Sequence, residues 1–206
     1  MTIVSTAKHS ITNSNIDTKS LFQKAIGDKF YDMPPRLQEL HGPDASKTWV
    51  GEARTQAGET WLARFISRTI GFGVPSSQDG GAYERLEVTF ERSDNSEKWQ
   101  RDFNGHCFNS HFAIGTKKQD ESFNYFAIEK FGLFNFELDL IVKKQRLYFV
   151  VRRCTFLKLP LPAFLLPKGD SYEYEHNDRF HFKVEVRVPI AGLIAAYDGW
   201  LSPVEI

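Results

Sequence analysis

The sequence is poor in cysteine and carries no net charge. It has two cysteines, Cys107 and Cys154, in 206 residues, and its 26 basic residues balance 26 acidic ones. Two cysteines without CxxC spacing exclude a disulfide framework, so we expect a reduced pair of small core residues, with one disulfide between them as the alternative. Because the charge balance leaves no basic footprint, we expect no nucleic-acid partner.

Long apolar runs are also missing. The most apolar stretch, residues 157–166, is too short to cross a bilayer and contains Pro160 and Pro162. The N-terminus lacks the apolar core of a signal peptide, so we expect a cytoplasmic protein without a transmembrane segment. Residues 157–166 have two interpretations: a cover over a sheet edge, which is the commoner one, or an exposed loop that contacts a membrane or a partner.

Motifs for phosphate and metal binding are absent as well. The only Gly-rich stretch, residues 71–81, has neither GxxxxGK[ST] nor a strand leading into it, so we interpret it as a surface loop. His106 and His111 flank Cys107, but residues five apart on a strand point to opposite faces. We therefore expect no metal and no cofactor, and no motif identifies a catalytic residue.

Alternation of apolar and polar residues dominates the chain from residue 83 onward. It is clearest over residues 134–142 and 180–188, and this period is typical of half-buried antiparallel strands. Aromatic residues make up 14% of the chain, and 18 residues are Phe, so the interior should be rich in aromatic rings. Consecutive hairpins predict an antiparallel sheet of about seven to nine strands, and a sheet this wide usually curls.

The N-terminal part of the chain predicts helices. Residues 21–30, 35–40 and 61–70 are amphipathic. Either Asp17-Thr18 or Ser20 can cap the first helix, the second has Pro in its first turn, and Thr60 caps the third. We expect an α+β fold: a strongly curved antiparallel sheet or part-closed barrel, with these helices on its concave side or across its mouth. Residues 1–17 should form a disordered or loosely attached tail, and residues 18–206 a single domain.

The hairpin formed by residues 172–188 has two possible registers. A two-residue loop at Asn177 and Asp178 places Glu173 and Glu175 on the apolar face, whereas a three-residue loop places Tyr172 and Tyr174 there. Burying an ionised carboxylate without a partner is costly. We therefore favour the aromatic register.

Several residues are anomalous for their strand faces. Arg101 shares the apolar face of its strand with Trp99 and Phe103, and Glu129 lies on the apolar parity of its own strand. We interpret the two charges as an ion pair inside the sheet, and an active-site role as the less common alternative. Tyr197 has two interpretations: a hydrogen-bonding group that points into the interior or, more commonly, a packed ring near the chain end. With Glu173 and Glu175 included if they point inward, the candidate ligand-binding site comprises Trp99, Arg101, Phe103, Glu129, Glu173, Glu175 and Tyr197.

Five segments in this order resemble a bacterial family called domain of unknown function 4166. They are LFQKAIGDKFYDMPPRLQELHG, WQRDFNGHCFNS, EKFG, KLPLPAFLLP and RFHFKVEVRVPIAGLIAAYDGWL, and the resemblance covers about residues 21–201. Family members look to occur alone or behind a reductase-like nucleotide-binding domain. The resemblance therefore implies a possible reductase-like partner protein, and it implies no activity.

Three functions remain open at this point. The first, slightly favoured, is a binding module whose curved sheet holds a small apolar or lipid-like ligand. The second is an enzyme that acts on a small acid or ester through Arg101 with Glu129 or a hairpin glutamate. The third is an accessory interaction domain with a filled core and no ligand.

Overall fold

A computed structural model describes residues 19–43, 47–71, 81–93, 95–119 and 122–204. Two predictions, the N-terminal tail and nearly all of the Gly-rich loop, concern residues outside these ranges. The described residues contain three α-helices, α1 to α3, and eleven β-strands, β1 to β11. In chain order they are α1 Leu21–Ile26, α2 Pro35–His41, β1 Thr48–Ala57, α3 Trp61–Ile70, β2 Glu84–Ser93, β3 Ser96–Phe103, β4 His106–Gln119, β5 Ser122–Phe131, β6 Phe134–Lys143, β7 Arg146–Phe156, β8 Leu159–Pro160, β9 Tyr172–His176, β10 Arg179–Val188 and β11 Gly192–Pro203.

Ten of the strands close into an antiparallel barrel. The order is β6-β5-β4-β3-β2-β1-β11-β10-β9-β7, and β7 pairs again with β6; the two-residue β8 lies outside on the edge of β7. The prediction of seven to nine strands and partial closure is therefore corrected, whereas the curled antiparallel sheet is confirmed. Closure depends on the pairing of β1 with β11, which joins strands from opposite ends of the chain, and no local turn signal predicts such a contact.

The helices close the two ends of the barrel. The end that carries α1, α2 and the β9–β10 turn is called the upper end. There the Arg36 side chain donates a hydrogen bond to the Asp178 carboxylate. The lower end carries α3 and the β10–β11 turn. There the Thr60 hydroxyl donates to the Ala191 carbonyl (2.9 Å), and the last turn of α3 lies against Gly132 in the β5–β6 turn. The helices therefore lie at the two mouths of the barrel, and α1 also packs inward, since its Phe22 ring contacts Trp99 and Phe112.

Capping residues define the helices. Ser20 forms a capping box with Gln23 at α1, and the Thr60 side chain accepts from the Ala63 N–H at α3, as the sequence predicts. The predicted helix through residue 30 is shorter than expected: α1 ends at Ile26, and residues 27–32 form a 3₁₀-helix. Gly27 has φ +67°, a conformation that ends an α-helix at little cost because glycine has no Cβ.

The favoured register of the β9–β10 hairpin is wrong. Phe180 pairs with Glu175 and Phe182 with Glu173, so the loop has two residues and both carboxylates share the apolar face. Asn177 and Asp178 have φ of 50° and 58°, which is the type I′ turn that matches the twist of paired strands. Glu173 is buried and Glu175 half-buried, and both carboxylates are tolerated because each has a partner, as described below.

Three smaller predictions are also corrected. Cys154 is buried, but Cys107 is exposed because it pairs with Asp102 on the outer face of the barrel; both thiols are free. The sequence pattern predicts a turn over residues 93–97, but β3 begins at Ser96, so Glu97 belongs to a strand. The sequence predicts a last strand over residues 190–201, or one with a bend at Gly192, but β11 begins at Gly192 because residues 189–191 form a turn.

Candidate functional site

Five strands bring one polar side chain each to the middle of the barrel interior. These side chains are Arg101 on β3, Ser110 on β4, Glu129 on β5, Glu173 on β9 and Tyr197 on β11. Four of the five residues are buried, and the Glu129 side chain is 14% exposed. Each lies on the inward parity of its strand, so their convergence follows from barrel closure. We call this group the polar cluster.

Arg101 is the centre of the polar cluster. Its Nη1 donates to the Ser110 hydroxyl (2.9 Å), and its Nη2 lies 3.7 Å from Glu129 Oε1. The guanidinium also lies over the rings of Trp99 (4.9 Å) and Phe108 (5.3 Å). The expected pairing with Glu129 is present, and the ring stacking explains how a cation is accommodated on an apolar face. Sequence reasoning missed Ser110 as a partner.

Two acidic groups of the cluster titrate abnormally. Burial raises the pKa of Glu129 to about 7, against the opposing effects of Arg101 and the Ser110 hydroxyl, and the nearby Glu173 carboxylate raises it further. Burial also raises the pKa of Tyr197 to about 12. Glu129 therefore exchanges a proton near neutral pH, whereas Tyr197 stays protonated and keeps its hydroxyl as a donor.

Glu173 is paired with a histidine that sequence reasoning missed. His41 is completely buried, and its Nε2 lies 2.5 Å from Glu173 Oε2. The His41 ring packs against Phe22 in a tilted arrangement (centroids 4.0 Å apart), and no hydrogen-bond partner is found for its Nδ1 among the described residues. The only available sequence signal was the position of His41 beside Leu40, at the end of the apolar stripe of α2.

Helix α2 explains why both hairpin carboxylates face inward. The Arg36 N–H at its first turn donates to Glu175 Oε2 (2.8 Å), and His41 at its last residue contacts Glu173. Five residues of helix rise about 7.5 Å, close to the roughly 6.8 Å between alternate residues of a strand. The helix thus presents one partner to each carboxylate, and Glu175 accepts an N–H that the helix itself leaves unpaired.

We expect Glu175→Ala to lower the free energy of unfolding by about 1 kcal/mol, the usual cost of losing a helix cap. The measurement is urea unfolding followed by circular dichroism. Glu39→Ala is the matched control, because it removes a part-exposed carboxylate of the same helix that pairs with the Arg36 side chain; it should cost about half as much or less. Equal losses in the two variants would contradict the capping role.

Two cavities lie beside the polar cluster. The larger has a volume of about 110 Å³ and extends from the cluster to Ile70 of α3. The smaller, about 50 Å³, extends to Leu40 of α2. The two cavities lie on either side of the polar cluster. They share five lining residues, which are Trp99, Arg101, Glu173, Val184 and Tyr197. An amphiphilic molecule in the larger cavity would meet apolar walls at the lower end and hydrogen-bonding groups above.

The predicted site residues divide into two groups. The larger cavity is lined by five of them, Trp99, Arg101, Glu129, Glu173 and Tyr197. Phe103 is fully buried, but it stacks on Phe108 and contacts the Tyr197 ring edge-on. Glu175 lies at the upper mouth against α2. Phe103 therefore supports the cluster through Tyr197, and Glu175 acts on the helix.

A second buried charge on β3 was also missed. Glu97 is 2% exposed and accepts from the Trp99 indole N–H (3.0 Å), and Arg92 Nε lies 3.5 Å from it. These contacts hold the Trp99 ring against the cluster. Among the residues that the structure describes, no three His, Cys, Asp or Glu side chains form a metal-binding group, and no helix has the length and apolarity needed to span a membrane.

The fold and the site define a class: a closed antiparallel β-barrel with a polar cluster beside an internal apolar cavity. A family model described as "Domain of unknown function (DUF4166)" matches residues 33–201, which run from just before α2 into β11. The chain belongs to this family, as its motifs indicated. A search of curated proteins finds no match to the chain.

Proposed function

We propose that the barrel binds a small amphiphile, with its apolar body in the larger cavity and its head group on the polar cluster. The observation that carries this proposal is the position of Arg101, Glu129 and Tyr197 on the wall of a cavity that is otherwise mostly apolar. Binding sites for small molecules combine apolar walls with a few convergent polar groups in this way. A cavity of this order holds a body roughly the size of a benzene ring.

The charges of the cluster favour an uncharged head group. Arg101 brings a guanidinium, Glu173 brings an acidic group that His41 contacts, and Glu129 brings a second acidic group whose pKa is raised to about 7. A ligand carboxylate would therefore meet two acids, and a ligand ammonium would meet the Arg101 guanidinium. A hydroxyl or carbonyl oxygen can accept from Arg101 or Tyr197 without introducing a further buried charge.

Four compounds that share one ring test the proposal: benzyl alcohol, benzoate, benzylamine and toluene. We expect benzyl alcohol to bind most tightly by calorimetry or ligand-observed NMR. Val151→Phe, which fills the larger cavity, should abolish binding. The double variant Arg101→Met with Glu129→Leu should weaken benzyl alcohol about tenfold and leave toluene little changed, in line with the loss of a hydrogen bond to a charged group.

Two results would overturn the proposal. One is the absence of binding by all four compounds to the folded wild-type protein. The other is equal affinity for toluene and benzyl alcohol that the double variant does not alter. Thermal unfolding of each variant provides the control that the barrel is intact.

An enzyme is the second candidate, and the pKa of Glu129 favours it. A carboxyl group with a pKa of about 7 beside a guanidinium has the properties of a general acid or base at neutral pH. Hydrolysis of phenyl acetate that disappears in Glu129→Gln, while benzyl alcohol still binds, would favour the enzyme. An accessory domain with a filled core is less favoured, since the cavity adjoins convergent charges.

A further inference from the structure

The lower end of the barrel carries an unusual set of exposed apolar side chains. They come from α3, from residues 157–168 and from the β10–β11 turn, and each is at least half exposed; they are Trp61, Phe65, Leu157, Leu159, Phe164 and Ile190. We call this set the lower apolar surface. Exposed large side chains scattered singly need no explanation, but a set concentrated at one end marks an interaction site.

Helix α3 contributes a complete outward stripe to this surface. Trp61, Arg64, Phe65 and Arg68 are all exposed, and their spacing of i, i+3, i+4 and i+7 places them on one face. The opposite face packs on the barrel through Ala63 and Ile70. A helix with aromatic and arginine side chains on its solvent side is suited to lie flat in a membrane interface.

Basic residues outnumber acidic ones in the two segments that form most of the lower apolar surface. Residues 61–70 and 157–168 contain four basic residues and no acidic one, with Glu59 and Asp170 just outside them. The basic residues are Arg64, Arg68, Lys158 and Lys168, and all four are exposed. At the upper end, residues 21–41 contain three Lys or Arg and three Asp or Glu. With Glu59 and Asp170 counted, four basic and two acidic residues still leave an excess of positive charge on the lower apolar surface, which is complementary to an anionic surface.

The same segments form the wall of the larger cavity. β9 pairs with β7 only from Tyr172 to Tyr174, so below this point β7 and β10 are not joined by a strand. The chain before β9 fills the gap: the Phe149 N–H donates to the Ser171 carbonyl (3.0 Å), and Lys168 bridges to Arg187. Pro167 from this segment and Ile70 from α3 both line the cavity.

We propose that the lower end of the barrel docks on a lipid bilayer that contains anionic lipid. Trp61, Phe65 and Phe164 enter the interface, and the basic side chains bind the head groups. The bilayer is preferred over a protein partner because a flat aromatic and basic helix face, next to an apolar loop, matches an anionic interface without requiring a shaped pocket. Membrane docking goes beyond the proposed ligand binding, and its test uses no ligand. The docking proposal and the ligand-binding proposal can therefore fail independently of each other.

The test is flotation of the full chain with vesicles of phosphatidylcholine, with and without about 30% phosphatidylglycerol. We expect about tenfold tighter binding to the anionic vesicles, and a loss of most of it when the salt concentration is raised to about 0.5 M. Trp61→Ala with Phe65→Ala, and Arg64→Gln with Arg68→Gln, should each weaken binding about tenfold. Phe164→Ser should also weaken vesicle binding, and it tests the contribution of residues 157–168 independently of α3.

Matched controls come from the upper end. Tyr31→Ala removes an exposed aromatic ring there, and Lys117→Gln with Lys118→Gln removes two exposed charges; neither should change vesicle binding. All substituted side chains are exposed, and circular dichroism of each variant checks the fold. The proposal is overturned if the wild type does not float with anionic vesicles, or if the controls lose as much binding as the α3 variants. It is also overturned if light scattering shows a dimer that Trp61→Ala with Phe65→Ala dissociates, because the surface is then a contact between two copies.

Discussion

Arg101→Ala is expected to lower the free energy of unfolding by about 3–5 kcal/mol at about pH 8, because it leaves a buried carboxylate without its cation. The loss has three sources in the structure. The Glu129 carboxylate loses the charge 3.7 Å away, the Ser110 hydroxyl loses its donor, and the rings of Trp99 and Phe108 lose the group packed between them. At about pH 5 the loss should be smaller, since Glu129 is then protonated.

A double-mutant cycle measures the pairing directly. Urea unfolding of Arg101→Met, Glu129→Leu and the double variant gives the coupling energy between the two positions. We expect the double variant to recover much of the stability lost in the single Arg101 variant, because two apolar groups of similar volume leave no buried charge unpaired.

The matched control is Arg152→Ala. Arg152 forms an ion pair with Asp139 at 2.5 Å, but its side chain is 58% exposed, and such surface pairs contribute about 1 kcal/mol or less. A coupling near zero between Arg101 and Glu129, or equal losses in Arg101→Ala and Arg152→Ala, would contradict a structural pair at the centre of the barrel.

The second large effect is a pH dependence caused by Glu129. Its pKa rises from an ordinary 4.5 to about 7 in the folded protein, so between these values the folded state binds more protons than the unfolded state. The free energy of unfolding therefore falls as the pH rises through this window. One pKa unit corresponds to about 1.4 kcal/mol, so the titration of Glu129 alone should lower the free energy of unfolding by about 2–3 kcal/mol between about pH 5 and about pH 8.

Comparison with Glu129→Gln isolates this contribution, because glutamine keeps the shape and cannot ionise. Urea unfolding of both proteins at about pH 5, 6, 7 and 8 gives two curves, and the stability of the variant relative to wild type should rise with pH. Burial lowers the pKa of His181, and this effect cancels in the difference because both proteins contain it. Parallel curves would show that Glu129 is ionised throughout and that its carboxylate is well solvated or firmly paired.

These two effects bear on function as well as stability. A binding protein or an enzyme needs Glu129 to be available to a ligand, and a pKa near neutrality means that small changes in surroundings alter its charge. A ligand hydroxyl that bonds to the neutral form would raise this pKa further and shift the pH dependence upward. The same unfolding curves, repeated with benzyl alcohol, therefore connect the titration to the proposed site.

The sequence by itself determined the strands, the caps and the anomalous charges. Alternation along β6 and β10 predicted antiparallel strands because the pleat places successive side chains on opposite faces. Thr60 predicted the start of α3, and Ser20 was one of two predicted caps for α1, since such side chains accept N–H groups only a few residues away. The position of Arg101 among apolar neighbours predicted a buried cation, and the parity of Glu129 predicted its partner.

Tertiary structure alone decided the closure of the barrel and the content of the site. β1 pairs with β11 across most of the chain length, and no local pattern encodes such a contact. The hairpin register depended on α2, which supplies His41 to Glu173 and the Arg36 N–H to Glu175. From the hairpin alone these carboxylates look too costly to bury. Their desolvation is offset by groups more than 130 residues away in the sequence, so only the folded chain shows that the carboxylate register is the stable one.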